Sequence, residues 1–120
     1  MWPFNRLGKT PKMTIRKIDQ HFSTTGQIHP EAVAELVKEG YVAILCARPD
    51  DEDPGQPAFA TIAEEAARHG MKAIHIPVSG GLSPEQIARF KQEMAGVNGP
   101  VLGYCRSGAR SAALYAALRQ

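Results

Sequence analysis

Two cysteines in 120 residues, Cys46 and Cys105, are too few and too far apart for a disulfide framework. They could pair only if folding brought them together. The four histidines fall in no HExxH pattern and the cysteines in no CxxC, so neither a metal site nor a cofactor is expected. No apolar run approaches the ~18 residues of a membrane span. Residues Met1 to Lys9 have neither the apolar stretch nor the small-residue cleavage site of a signal peptide. A formal net charge of +2 is too small to argue for nucleic acid or a membrane surface as partner. What remains is ordinary globular composition, 43% apolar and 22% charged, enough for one domain with one core. A reducing cytoplasm is the expected compartment, and it suits a free thiol.

The informative stretch is Val101-Leu102-Gly103-Tyr104-Cys105-Arg106-Ser107-Gly108-Ala109-Arg110-Ser111, followed by an alanine-rich segment. A short apolar run ends at a cysteine, small and basic residues turn the chain, and a helix-forming segment follows. In such an arrangement loop N–H groups and the positive end of the helix converge on one spot and stabilise a thiolate or an adjacent anion. Arg106 and Arg110 add charge that cannot be titrated away. A free thiol titrates near ~8.5, and these surroundings lower that value. The plain alternative is a buried core cysteine, which does not call for two arginines and a glycine in the next five positions.

The rest of the chain alternates strands and helices. Residues 1–12, with Pro3 and Pro11, read as a loosely attached extension, and 13–120 as the domain. Short strands are expected at 15–18 and 22–23. A helix follows from Pro30, at its first position, to Glu39, with Val33, Leu36 and Val37 on the apolar face. Residues 41–47 form a continuous apolar run, read as a buried parallel strand. Cys46 lies within it as a core thiol, or alternatively as a resolving partner for Cys105. Further helices are expected at 57–69, at 84–95 and from 110 onward, with strands at 72–76 and 101–104. Ser83-Pro84-Glu85-Gln86 has the form of a capping box with proline at N1. His75 could face the site or serve as a hydrogen-bonded structural histidine. Together these predict an α/β fold: a single domain with a central, mostly parallel sheet flanked by helices.

The loop Arg48 to Pro57 follows the carboxyl end of a strand, where such folds place their sites. Its carboxylates, Asp50, Asp51, Glu52 and Asp53, could supply an acid or a base, or could pair with Arg48 and the basic loop.

With Gly26-Gln27-Ile28, Arg48-Pro49-Asp50 with Glu52, Pro54-Gly55-Gln56-Pro57, His75-Ile76-Pro77-Val78 and the Cys105 loop in hand, the chain resembles a bacterial family. It is the beta-lactamase-hydrolase-like, phosphatase-like domain family, which includes small sulfurtransferases. The resemblance spans about residues 13–118 and implies a tyrosine-phosphatase-like fold, similar to the dual-specificity enzymes, with Cys105 as nucleophile. The phosphatase signature places five residues between cysteine and arginine. Here Cys105 and Arg110 have four between them, and Ser111 takes the arginine position. The loop after His75-Ile76-Pro77-Val78 offers Ser79, Gly80 and Gly81 where an aspartic acid would serve as general acid.

The string Cys-Arg-Ser-Gly-x-Arg-Ser instead looks like the active loop of many rhodaneses. The expectation is a sulfurtransferase that carries sulfane sulfur as a Cys105 persulfide. Arg110 would assist Cys105. Arg106, Ser107, Gly108, Ala109 and Ser111 would form the substrate cradle, with Arg48 as a further contact. The expected partners are a small anionic sulfur donor, thiosulfate or a persulfide, a thiol acceptor and a sulfide-oxidising enzyme. The alternative is a cysteine-based phosphatase using Asp50, Asp51 or Asp53 as acid, and a third reading is a non-catalytic anion-binding module.

Overall fold

A computed structural model describes residues 13–120; the expected extension, 1–12, lies outside the described residues. Among the described residues, five strands and four helices follow one another. They are β1 (Arg16–Lys17), β2 (Phe22–Thr25), α1 (Ala32–Lys38), β3 (Ala43–Cys46), α2 (Phe59–Arg68), β4 (Lys72–His75), α3 (Pro84–Met94), β5 (Val101–Tyr104) and α4 (Ala109–Leu118). The sheet order is β1-β2-β5-β3-β4. β1 joins β2 antiparallel at the edge, while β2, β5, β3 and β4 run parallel. β5 thus lies inside the sheet, between β2 and β3, although it is the last strand in sequence.

Strand side chains alternate between two cores, because successive residues point to opposite faces. Ala43, Leu45 and Cys105 join Phe22, Phe90, Leu114 and Tyr115 on the face covered by α3 and α4. Ile44, Cys46 and Tyr104 join Ile28, Val33, Leu36, Ile62 and Ala66 on the face covered by α1 and α2. Phe22 stacks on Tyr115 at 4.4 Å between ring centroids and meets Phe90 edge-on at 6.5 Å. Such aromatic pairs add about 0.5–1.5 kcal/mol beyond burial. At Gly103 of β5 a Cβ would stand 2.5 Å from the Phe22 ring and 2.8 Å from the Ser111 Cβ, so only glycine lets α4 lie this close to the strand.

Several local expectations shift. β2 extends two residues further, to Thr25, because it pairs residue by residue with β5. In α1 the N-cap is Glu31, so Pro30 sits in the preceding turn rather than at the first helical position. Val37 is 36% exposed, and Ala32 takes its place on the buried face. α2 starts at Phe59 rather than 57, since Asp50 accepts a hydrogen bond from the Phe59 N–H at 2.8 Å and fixes the helix start there. The capping box of α3 forms as expected: the Ser83 Oγ accepts from the Gln86 N–H at 3.1 Å, and the Gln86 Oε1 accepts from the Ser83 N–H at 2.8 Å.

Candidate active site

All four parallel strands deliver their carboxyl ends to one edge of the sheet, the place where open α/β sheets bind ligands. β5 delivers Cys105, β3 Arg48, β4 Val78, and β2 Gly26 and Gln27. Cys105 is buried at the start of a tight loop that ends at Gly108, the N-cap of α4. Gly108 has φ +95°, and its N–H donates to the Cys105 sulfur at 3.0 Å. An added Cβ there would meet the Thr24 Oγ1 at 3.0 Å and the Thr25 carbonyl at 3.2 Å.

Burial works against ionisation of Cys105. The backbone N–H groups of Ser111, Ser107, Arg110 and Gly108 outweigh it and hold the thiol below its ordinary value. Cys105, at the mouth of a helix, therefore ionises more readily than an ordinary thiol. Cys46 is the opposite case, since burial pushes its thiol up. Its side chain lies on the other face of the sheet from Cys105, and it donates to the Arg48 carbonyl at 3.3 Å. This placement favours the core reading of Cys46 over a resolving role.

The cysteine loop is braced from behind. The Thr24 Oγ1 donates to the Gly108 carbonyl at 2.8 Å, the Ser111 Oγ lies 3.0 Å from the same carbonyl, and the two hydroxyls are 2.5 Å apart. Ser111 is fully buried, so its side chain secures the loop, and its backbone N–H faces the sulfur. Ser107 is exposed, and its Oγ accepts from the Ala109 N–H at 3.3 Å.

The acidic loop and the cysteine loop meet in an ion network. Arg110 Nη1 and Nη2 donate to both oxygens of Glu52 at 2.7 and 2.8 Å, and Nη1 also reaches the Val78 carbonyl at 2.8 Å. Arg106 Nε lies 3.3 Å from an oxygen of Asp53. Arg48 is 3% exposed, and its guanidinium donates to Glu52, Gln27 and Asp53 at 2.9, 2.8 and 2.6 Å. The hydrogen bonds from Arg110 and Arg48 hold the Glu52 carboxyl down to about 2. Glu52 and Asp53 are thus engaged with arginines, while Asp50 caps α2 and Asp51 stands exposed at φ +63°. Gln56 braces the loop, its Oε1 accepting from the Glu52 and Asp53 N–H groups at 3.2 Å each.

His75 stacks on Phe59 at 4.4 Å, and its Nε2 donates to the Arg48 carbonyl at 2.9 Å, so it supports the loop from below. Among the described residues no group of three His, Cys, Asp or Glu side chains is placed to hold a metal ion. The backbone from Ser107 to Ser111 gathers around the Cys105 sulfur, the Arg110 and Arg106 side chains lie on Glu52 and Asp53, and Arg48 stands behind the acidic loop. Sequence reasoning missed Thr24 and the Val78 carbonyl. Nothing local marks Thr24, which acts through a partner distant in the chain, while Val78 stands in the His75-Ile76-Pro77-Val78 motif with no sign there that its carbonyl would seat Arg110. Gln27 had a signal in the Gly26-Gln27-Ile28 motif.

Comparison with known proteins fits this geometry. The chain is 37% identical over 104 residues to the Beta-lactamase hydrolase-like protein of Agrobacterium fabrum, covering 86% of this chain. It spans about a quarter (24%) of the length of that relative. A candidate phosphatase of known structure from Neisseria meningitidis is 32% identical, with a TM-score of 0.76 over 87% of this chain and 75% of that one. Tk-PTP in its active form is 18% identical with a TM-score of 0.56, over 88% of this chain and 80% of that one, a likeness of fold. Residues 14–120 match the Beta-lactamase hydrolase-like protein, phosphatase-like domain family as a whole, and the chain belongs to that family.

Proposed function

We propose that the chain is a sulfurtransferase working through a Cys105 persulfide on a phosphatase-like scaffold. The family's name and its structural neighbours lean towards phosphate-ester hydrolysis, and none of them speaks of sulfur transfer. The observation that carries the sulfur reading is the state of the carboxylates. Glu52, held down to about 2, is ionised at neutral pH and bound to Arg110 and Arg48. Asp53 is paired with Arg48 and Arg106, and Asp50 caps a helix. The loop after β4 carries no aspartate. A phosphate ester needs a proton for its departing alkoxide, and a carboxylate held by arginines or by a helix N–H is not free to supply one.

Sulfur transfer needs no such proton. The Cys105 thiolate attacks the outer sulfur of thiosulfate; the new S–S bond forms as the old one breaks, and sulfite leaves with the electron pair. The resulting Cys105 persulfide anion passes its outer sulfur to a thiolate or to cyanide and returns as thiolate. The amides of the cradle stabilise the anion at each stage. Arg106 and Arg110 support binding of the donor.

Phosphatase activity is the second reading, favoured by the family and fold. It would require Asp50 or Asp53 to be freed for proton donation, or the exposed Asp51 to be brought to the leaving group. A paired turnover assay separates the two. One arm offers thiosulfate or glutathione persulfide with cyanide or a thiol; the other offers an aryl phosphate; both include Cys105→Ser. Cysteine-dependent sulfur transfer without phosphate release is the expected result. Cysteine-dependent phosphate release without sulfur transfer would replace this reading with the second.

A further inference from the structure

We propose that Arg48 is a positioning residue for the cysteine loop: one buried guanidinium fixes Glu52 and Asp53, and through them aims Arg110 and Arg106. The proposal rests on Cys105 being the nucleophile of the reaction above, and not on which leaving group departs.

Each nitrogen-bearing edge of the Arg48 guanidinium meets a different acceptor. Nε binds Glu52 Oε1, Nη1 binds Gln27 Oε1 and Nη2 binds Asp53 Oδ2. With 3% exposure it has no face left for substrate, so it acts through its partners. Glu52 Oε1 is shared between Arg48 Nε and Arg110 Nη2, while Oε2 holds Arg110 Nη1. One carboxylate is thereby gripped between two planar guanidinium groups, the geometry in which arginine is most selective. Asp53 Oδ2 is likewise shared between Arg48 and Arg106.

Both carboxylates sit on a loop whose side chains are part-exposed, Glu52 at 28% and Asp53 at 40%. An exposed pair without an anchor gains little, because ordering two mobile side chains offsets the attraction. Arg48 removes that cost before a substrate arrives. It holds the carboxylates in place, and the Val78 carbonyl completes the seat of Arg110. A thiolate at Cys105 favours the charge of the seated Arg110, and by the same attraction the guanidinium favours the thiolate. The formal charges of Arg48, Arg106, Arg110, Glu52, Asp53 and the thiolate sum to zero, so the frame offers no excess of positive charge, only arginines held in position.

The test reads the thiol itself, so it stands whichever turnover the enzyme shows. Arg48→Lys keeps the charge, but an ammonium cannot hold three acceptors in one plane. The expected result is a midpoint for iodoacetamide alkylation of Cys105 raised by about half to one pH unit. The rate at pH 7 then falls roughly three- to tenfold, with the high-pH plateau unchanged. In an Arg110→Lys background the same substitution adds less than about twofold, because the route through Arg110 is already cut. An unshifted midpoint in folded Arg48→Lys protein, or equal falls in both backgrounds, overturns the proposal. Should Arg48→Lys fail to fold by circular dichroism, Gln27→Ala enters the same cycle. It removes one tether and leaves both ion pairs; a smaller upward shift that vanishes with Arg110→Lys is expected, and an unshifted or additive result overturns the proposal.

Discussion

The two cysteines have the same side chain and opposite chemistry. Cys105 has four amides turned towards its sulfur and titrates below an ordinary thiol; Cys46, in apolar surroundings, titrates above one. Iodoacetamide at pH 7 should therefore modify one thiol per native chain and both in denaturant. Peptide mapping would place the native label on Cys105, and a native label on Cys46 would contradict the assignment. Gly108 carries part of this difference. Alanine there must hold φ near +95° with its Cβ 3.0 Å from the Thr24 hydroxyl. The strain should cost about 1–3 kcal/mol. It should also raise the alkylation midpoint, because the amide that faces the sulfur moves. A variant with lower thermal stability and an unmoved midpoint would show that the glycine serves folding alone. The motif made Cys105, Gly108 and Arg110 legible in the sequence, because their roles follow from local spacing. Thr24 was not legible: its contact with Gly108 joins residues 84 positions apart.

At the scale of elements, the signals that could be read were those that terminate or initiate structure locally. The Ser83-Pro84-Glu85-Gln86 start of α3 and the apolar run of β5 appear where their residues dictate. Boundaries that depend on a distant partner moved instead. α2 begins at Phe59 because Asp50, nine residues earlier, accepts its N–H. Asp50 was also a candidate acid; from sequence its carboxylate could supply a proton or pair with an arginine, and the fold sets it at a helix start instead. Ser83→Ala should cost about 1 kcal/mol by loss of the cap, since the Gln86 N–H then lacks its acceptor. As α3 contributes no group to the cysteine cradle, turnover per folded molecule should be unchanged. Denaturant titration and a kcat measurement on the same preparation check both halves.

For the whole molecule, the ion network joins loops that follow β3 and β5, so it contributes to stability as well as to the site. The Glu52 carboxyl titrates at about 2 in the folded chain against an ordinary 4.5. A depressed carboxylate stabilises the fold above its unfolded value, and that contribution is lost as pH falls from about 4.5 towards 2. Glu52→Gln should be less stable than the native chain at pH 6, and the gap should close across this window. Urea midpoints for both proteins at several pH values test the sign, and a gap constant from pH 6 to 2.5 would contradict it. The partial exposure of Glu52 keeps the effect modest.

The position of β5 has a consequence for the birth of the protein. It is the central strand, and both of its neighbours precede it in the chain, β2 by nearly eighty residues. The sheet cannot be joined until Val101–Tyr104 has left the ribosome, and the amides of the cradle are ordered only when α4 follows. A nascent chain therefore carries two ordinary, slow thiols. Nucleophilicity arrives only with α4, after the other strands of the sheet are available to restrain it.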